Sequence, residues 1–155
     1  MTTLTFETAS ANETRALGGR IATLLEPGDV LLLHGDLGAG KTTLTQGIGS
    51  ALGMSELAQS PTFSLVVDTL LPNGIVLRHI DLYRLDDPTE LDALGFEDLT
   101  NDPEAITLIE WPERAEGMLP DAYLLVEIEP SGPDRRSIRL RPVGLGSRFD
   151  SLSAS

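Results

Sequence analysis

Apolar residues along this chain switch between the spacing of a strand and that of a helix. Thr3–Glu7 alternates weakly and predicts an opening strand. Ser10-Ala11-Asn12-Glu13 has the capping-box form, a hydroxyl for the N3 amide and a carboxylate reaching back. Behind it Leu17, Ile21, Leu24 and Leu25 share one helical face, and Pro27-Gly28-Asp29 closes the helix. Val30-Leu31-Leu32-Leu33 is a continuous apolar run, the pattern of a strand covered on both faces. Gly35–Gly40 then leads into a second helix from about Lys41 to Leu52, with Leu44, Ile48, Ala51 and Leu52 on one side.

Further on, Leu65–Leu70 and Ile75–Leu82 predict strands joined at Pro72-Asn73-Gly74. Asp87-Pro88-Thr89-Glu90 opens a short helix, with a capping Asp, Pro at N1 and Glu at N3. Ala105–Ile109 is another apolar strand, ending in Glu110-Trp111-Pro112. Tyr123–Ile128 and Ser137–Leu140 predict a second hairpin around Ser131-Gly132-Pro133-Asp134. Residues 144–155 are Gly/Ser-rich and are expected to fray into a flexible tail. No internal repeat or separate linker is visible. The expectation is α/β: a single domain over residues 1–143, with a central mixed sheet flanked by helices.

Composition narrows the class. The 155 residues include no cysteine, which excludes disulfides and thiolate metal sites, and His34 and His79 leave little for a histidine-ligated metal. The apolar runs are too short to cross a bilayer, and Met1-Thr2-Thr3-Leu4-Thr5 lacks a basic region followed by an apolar stretch. These features predict a cytoplasmic protein with no membrane span. The net charge is −13, which opposes gripping a polyanion across a broad face. The charge is uneven: residues 81–116 hold twelve acids, whereas Arg135, Arg136, Arg139, Arg141 and Arg148 follow Asp134 with no acid before Asp150. That is either a pair of solvated faces or a docking surface for a macromolecule.

Ten of the eleven basic residues are arginine, and Lys41 is the only lysine. It closes Gly35-Asp36-Leu37-Gly38-Ala39-Gly40-Lys41-Thr42, which fits G-x-x-x-x-G-K-[ST] at every fixed position. The buried strand before it and the amphipathic helix after it are the required context. Glycines let the backbone curl with its N–H groups inward, and the helix N-terminus adds partial positive charge. Lys41 can then reach β- and γ-phosphates and the Thr42 hydroxyl can ligate Mg²⁺. This predicts a nucleoside-triphosphate site. An Asn-Lys-x-Asp guanine reader is impossible with one lysine, so ATP is favoured over GTP.

A phosphate loop needs an acid at the end of a neighbouring strand, and both Glu110 and Asp81 qualify. His79 alone reads as structural. Ser60-Pro61-Thr62-Phe63 lies where nucleotide-sensing loops fall, or is an ordinary turn. Trp111, the only tryptophan, is either a core aromatic or part of the pocket beside Glu110.

Four motifs in order carry a resemblance: Gly35–Thr43, Ser60–Phe63, His79-Ile80-Asp81-Leu82-Tyr83-Arg84-Leu85 and Ile109-Glu110-Trp111-Pro112. Over about residues 12–130 the chain resembles the TsaE (YjeE) family. The resemblance implies a Mg²⁺-dependent ATPase needed to make N6-threonylcarbamoyladenosine beside the anticodon of tRNAs that read A-starting codons. It implies that the transfer chemistry belongs to TsaD and TsaB, that this chain binds them, and that ADP is the product. It also implies that Gly38–Thr43 is the phosphate loop and that Thr42 and Glu110 are the magnesium ligands. Thr62 is then the sensing residue, and Asp81 positions water or the metal. The acidity fits contact with partner proteins better than direct contact with tRNA. The Arg-rich strand matches no motif of the family. Two other classes use the same loop: a small-molecule or protein kinase, and a nucleotide-gated binding module without turnover.

Overall fold

Val30–His34 (β2) is the strand on which both cores converge. Its odd and even side chains point to opposite faces. Leu31 and Leu33 enter one core with Leu17, Ile21, Leu44 and Ile48, whereas Val30 and Leu32 enter the other with Leu91 and Phe96. Burial on both sides explains the unbroken apolar run. The computed structural model describes residues 3–36, 39–54, 65–83, 85, 87 and 89–154.

Around β2, the described residues form Leu4–Thr8 (β1), Ala11–Ala22 (α1), Lys41–Ala51 (α2), Val66–Leu70 (β3) and Val76–Asp81 (β4). Thr89–Leu94 (α3), Phe96–Thr100 (α4), Ala105–Glu110 (β5), Tyr123–Gly132 (β6) and Arg135–Val143 (β7) follow, with short 3₁₀ turns at Pro112–Ala115 and Asp150–Ala154. The strands make one sheet in the order β1-β7-β6-β2-β5-β4-β3. The inner strands β6, β2, β5 and β4 are parallel, and antiparallel pairs close each edge. The expected mixed sheet flanked by helices is therefore present.

Ser10 caps α1 in an extended conformation, accepting from the Glu13 N–H at 3.1 Å, while Glu13 reaches back to the Ala9 N–H at 2.9 Å. The helix ends at Ala22, short of the expected stop at Pro27, and Leu24 and Leu25 turn inward to pack on the core. Helices α1 and α2 meet backbone to backbone. A Cβ on Gly47 would lie 2.1 Å from the Arg15 carbonyl oxygen, and one on Gly18 would lie 2.5 Å from that of Leu44. Only glycine permits that approach.

The expected fraying after Gly144 is corrected. Phe149 is completely buried and Leu152 nearly so, in the core beneath α1. Arg148 forks onto Asp29, with one arm at 2.9 Å, and donates to the Leu24 carbonyl at 3.1 Å. Arg20 donates to the Leu152 carbonyl at 2.7 Å. The Gly/Ser content dominates the composition, but two apolar anchors and one arginine decide the packing. Phe149→Ala should lower unfolding stability by about 3–5 kcal/mol, the cost of emptying a buried aromatic site. Urea denaturation checks this, and an unchanged midpoint would return the segment to a frayed state.

Candidate functional site

Parallel β2, β5 and β4 deliver their C-terminal ends to one edge of the sheet, where open α/β sheets place their ligands. Gly35 leaves β2 past β6 so closely that a Cβ there would lie 2.6 Å from the Ile128 carbonyl oxygen. Ala39 is buried, its N–H donating to the Asp36 carbonyl at 3.0 Å, and Gly40 starts α2 at a φ of 111°. Helical bonding across this junction begins with the Leu44 N–H on the Gly40 carbonyl at 3.0 Å. The amides of Lys41, Thr42 and Thr43 therefore precede the ladder, at the positive end of the helix. Asp36 and Thr42 are exposed and Thr43 is half-buried. Leu37, Gly38 and Thr62, with the rest of Ser60–Phe63, lie outside the described residues.

Lys41 is the unusual member. Its side chain is 5% exposed and, among the described residues, its Nζ makes no hydrogen bond. The ammonium sits 4.0 Å from the centre of the Trp111 ring and 3.9 Å from Glu110 Oε1. Burial pushes its pKa down, and the carboxylates of Glu110, Asp81, Glu113 and Asp36 pull in the opposite direction. Trp111 adopts left-handed φ and ψ of 60° and 50°, a sparsely occupied region for a large side chain. Its ring packs on Tyr83 at 5.0 Å, and Arg114 covers the Tyr83 ring at 5.9 Å. Trp111 thus lies against Lys41 and also packs on the core of Leu32, Ile80 and Ile109.

The two acids come together through strand register. Asp81 on β4 pairs with Glu110 on β5, and both follow the rows of Leu77 and Leu108 that face α1 and α2. Glu110 is buried, whereas Asp81 is half-buried and accepts from the Tyr83 N–H at 3.0 Å. Desolvation raises the Asp81 pKa, the Tyr83 amide lowers it, and the Glu110 charge raises it further. No three acidic or histidine side chains among the described residues form a metal cage of their own.

Two neighbours escaped the sequence reading. His79, expected to be structural, is buried in the site with Nε2 2.6 Å from Glu110 Oε2. Arg136 lies against the start of α2, its Nε 3.5 Å from where a Cβ on Gly40 would be. It borders a cleft of about 70 Å³ with Ser10, Thr14, Thr43 and Asp134. Its phase with Ile138 and Leu140, which face inward, is the signal that could have found it. Arg139 and Arg141 alternate outward, and Arg139 lies 3.8 Å from Glu127.

The family model for threonylcarbamoyl adenosine biosynthesis protein TsaE matches residues 8–138. This chain belongs to the TsaE family. Among its relatives, a TsaE protein of Bacillus subtilis is 37% identical over 98% of this chain and 92% of its own length. One of Haemophilus influenzae is 45% identical over 72% of this chain and 68% of its own. The crystal structure of Bacillus subtilis YdiB superposes with a TM-score of 0.78 at 32% identity, covering 99% of this chain and 93% of that one. For this family member the matched segment contains every element that brings Lys41, Asp81 and Glu110 together.

The raised Asp81 pKa has a thermodynamic consequence. The folded protein holds that proton more tightly than the unfolded chain, so stability falls as pH rises from the ordinary aspartate range through the raised value. Above the raised value the charge is fully a cost. Asp81→Asn, which still accepts the Tyr83 amide, should raise the melting temperature at pH 7, with the gain shrinking as pH falls toward the ordinary range. Paired thermal melts across pH test this, and a gain independent of pH would assign it to another cause.

Proposed function

We propose that this protein binds ATP with magnesium at the Gly35–Thr43 loop and hydrolyses it in the synthesis of N6-threonylcarbamoyladenosine in tRNA. In this reading it is a cytoplasmic subunit acting through the TsaD–TsaB pair. The observation that carries the nucleotide site is Lys41 Nζ: a buried ammonium without a hydrogen bond among the described residues, on the first residue of α2. Such a group is costly unless an anion completes it. Membership of the TsaE family supplies the pathway. Among the described residues no helix is long and apolar enough to cross a membrane, in keeping with action on soluble partners.

The amides of Lys41 to Thr43 and the Lys41 ammonium hold the phosphate oxygens. The Thr42 hydroxyl and Glu110 hold magnesium, which when bound neutralises charge gathering on those oxygens. Asp81, beside Glu110 in the strand register, orients the attacking water and accepts its proton. Thr62 senses the terminal phosphate, and Trp111 lines the pocket. The neighbouring Arg114 is committed to the Tyr83 ring and to the Leu85 carbonyl at 3.3 Å. A phosphate loop lacking an arginine finger is slower by about 10³–10⁵. In this reading neither Arg114 nor Arg136 beside Gly40 acts as that finger, the isolated chain turns over slowly, and docking on TsaD–TsaB accelerates it.

Lys41→Ala and Thr42→Ala should abolish hydrolysis in folded protein. Glu110→Ala should remove the magnesium dependence of ATP binding, while Asp81→Ala should keep binding and lower phosphate release by about 100-fold or more. Nucleotide titration with and without Mg²⁺, and phosphate release with and without the partner pair, read these outcomes. ATP hydrolysis retained by Lys41→Ala would overturn the assignment. Labelled phosphate appearing on an acceptor other than water would move the protein to a kinase.

A further inference from the structure

Glu110 is ordinarily free to rotate about its last torsion, and a ligand carboxylate that rotates loses its aim. Here strand register prevents it. In the parallel pairing of β4 with β5, His79 stands opposite Leu108 and Asp81 opposite Glu110, so His79 reaches Glu110 along the diagonal on the same face. The His79 Nε2 to Glu110 Oε2 distance is 2.6 Å, and the two side chains are 8% and 4% exposed. With Glu110 ionised the ring N–H donates, because a carboxylate can only accept. The other oxygen, Oε1, is the one turned to Lys41, at 3.9 Å. The two carboxylate oxygens thus face different groups, one inward to an imidazole and one toward the phosphate loop.

We propose that His79 is a positioning residue: it ties down Oε2 so that Oε1 stays presented to the metal–nucleotide complex. This rests on the nucleotide reading above and adds to it a role for a residue that touches neither phosphate nor metal. Outer hydrogen-bond partners of metal ligands act this way in general, and their loss costs about 10–100-fold in metal affinity. A His79 that merely filled space would leave magnesium dependence alone.

The test titrates Mg²⁺ at fixed ATP and follows nucleotide binding by calorimetry in parallel with binding in EDTA. Melting curves establish that each variant is folded. His79→Leu keeps bulk and loses the donor; it should weaken the apparent Mg²⁺ affinity about 10–100-fold and change binding in EDTA less than about 2-fold. His79→Gln, whose amide nitrogen can occupy the place of Nε2, should restore Mg²⁺ affinity to within about 3-fold of wild type. If His79→Leu does not fold, His79→Asn replaces it, because its donor is too short to reach Glu110. The double variant His79→Leu with Glu110→Gln should lose no more Mg²⁺ affinity than Glu110→Gln alone, since both break one interaction. A folded variant without the donor that keeps wild-type Mg²⁺ dependence overturns the proposal. So does an equal loss with and without Mg²⁺. Wild-type protein whose ATP binding ignores Mg²⁺ would instead overturn the nucleotide reading, and this role with it.

Discussion

Lys41 and Glu110 face each other across 3.9 Å, both almost out of solvent, and neither donates to nor accepts from the other. Removing two ions from water costs several kcal/mol each, and a gap of this size recovers only part of it. Other contacts make up some of the difference. His79 satisfies one carboxylate oxygen, and the Trp111 ring lies under the ammonium, a contact worth about 2 kcal/mol when desolvated. Closing the gap would stabilise the pair, yet it would also withdraw both groups from the nucleotide proposed for this site. The separation is what leaves the charges available, and two hydrophobic cores carry the deficit.

The strand–loop–helix around Lys41 was legible because its pattern lies within eight consecutive residues, Gly35 to Thr42. Glu110 and Asp81 were legible as strand ends, since an apolar run that stops at an acid announces where the chain leaves the core. His79 was not, because its partner is 31 positions away and the contact exists only in one register of β4 on β5. Arg136 stood among four other arginines after Asp134, and only the pairing of β7 sets its inward phase. Phe149 was hidden by its Gly and Ser neighbours. Each failure concerns a residue whose role comes from a distant segment rather than from its own surroundings.

The close contact of Gly18 and Gly47 with the facing helix makes α1 and α2 one rigid pair. Because α2 carries Lys41 at its first turn, the aim of the ammonium is set by helix packing as much as by the loop. Arg20, on the last turn of α1, holds the C-terminal segment through Leu152. The segment around Leu152 is thus joined directly to the helix that packs against α2 and Lys41, across 132 positions of sequence.

β1 finds its partner only in β7, with Leu4 opposite Leu140, and the core beneath α1 is filled last by Phe149. During synthesis the residues that bear the charged groups, up to Trp111, leave the ribosome well before the strand and the aromatic that seal one face of β2. Pairings of such long sequence separation form slowly, since loop closure precedes the contacts that reward it. Until β7 and Phe149 have been made, the core beneath α1 lacks Ile138, Leu140 and Phe149, and shortened chains expose that gap to proteases and to one another. The fold is therefore committed only once Phe149 has emerged, and a chain cut before it carries Lys41, Asp81 and Glu110 without the contacts that seal one face of β2.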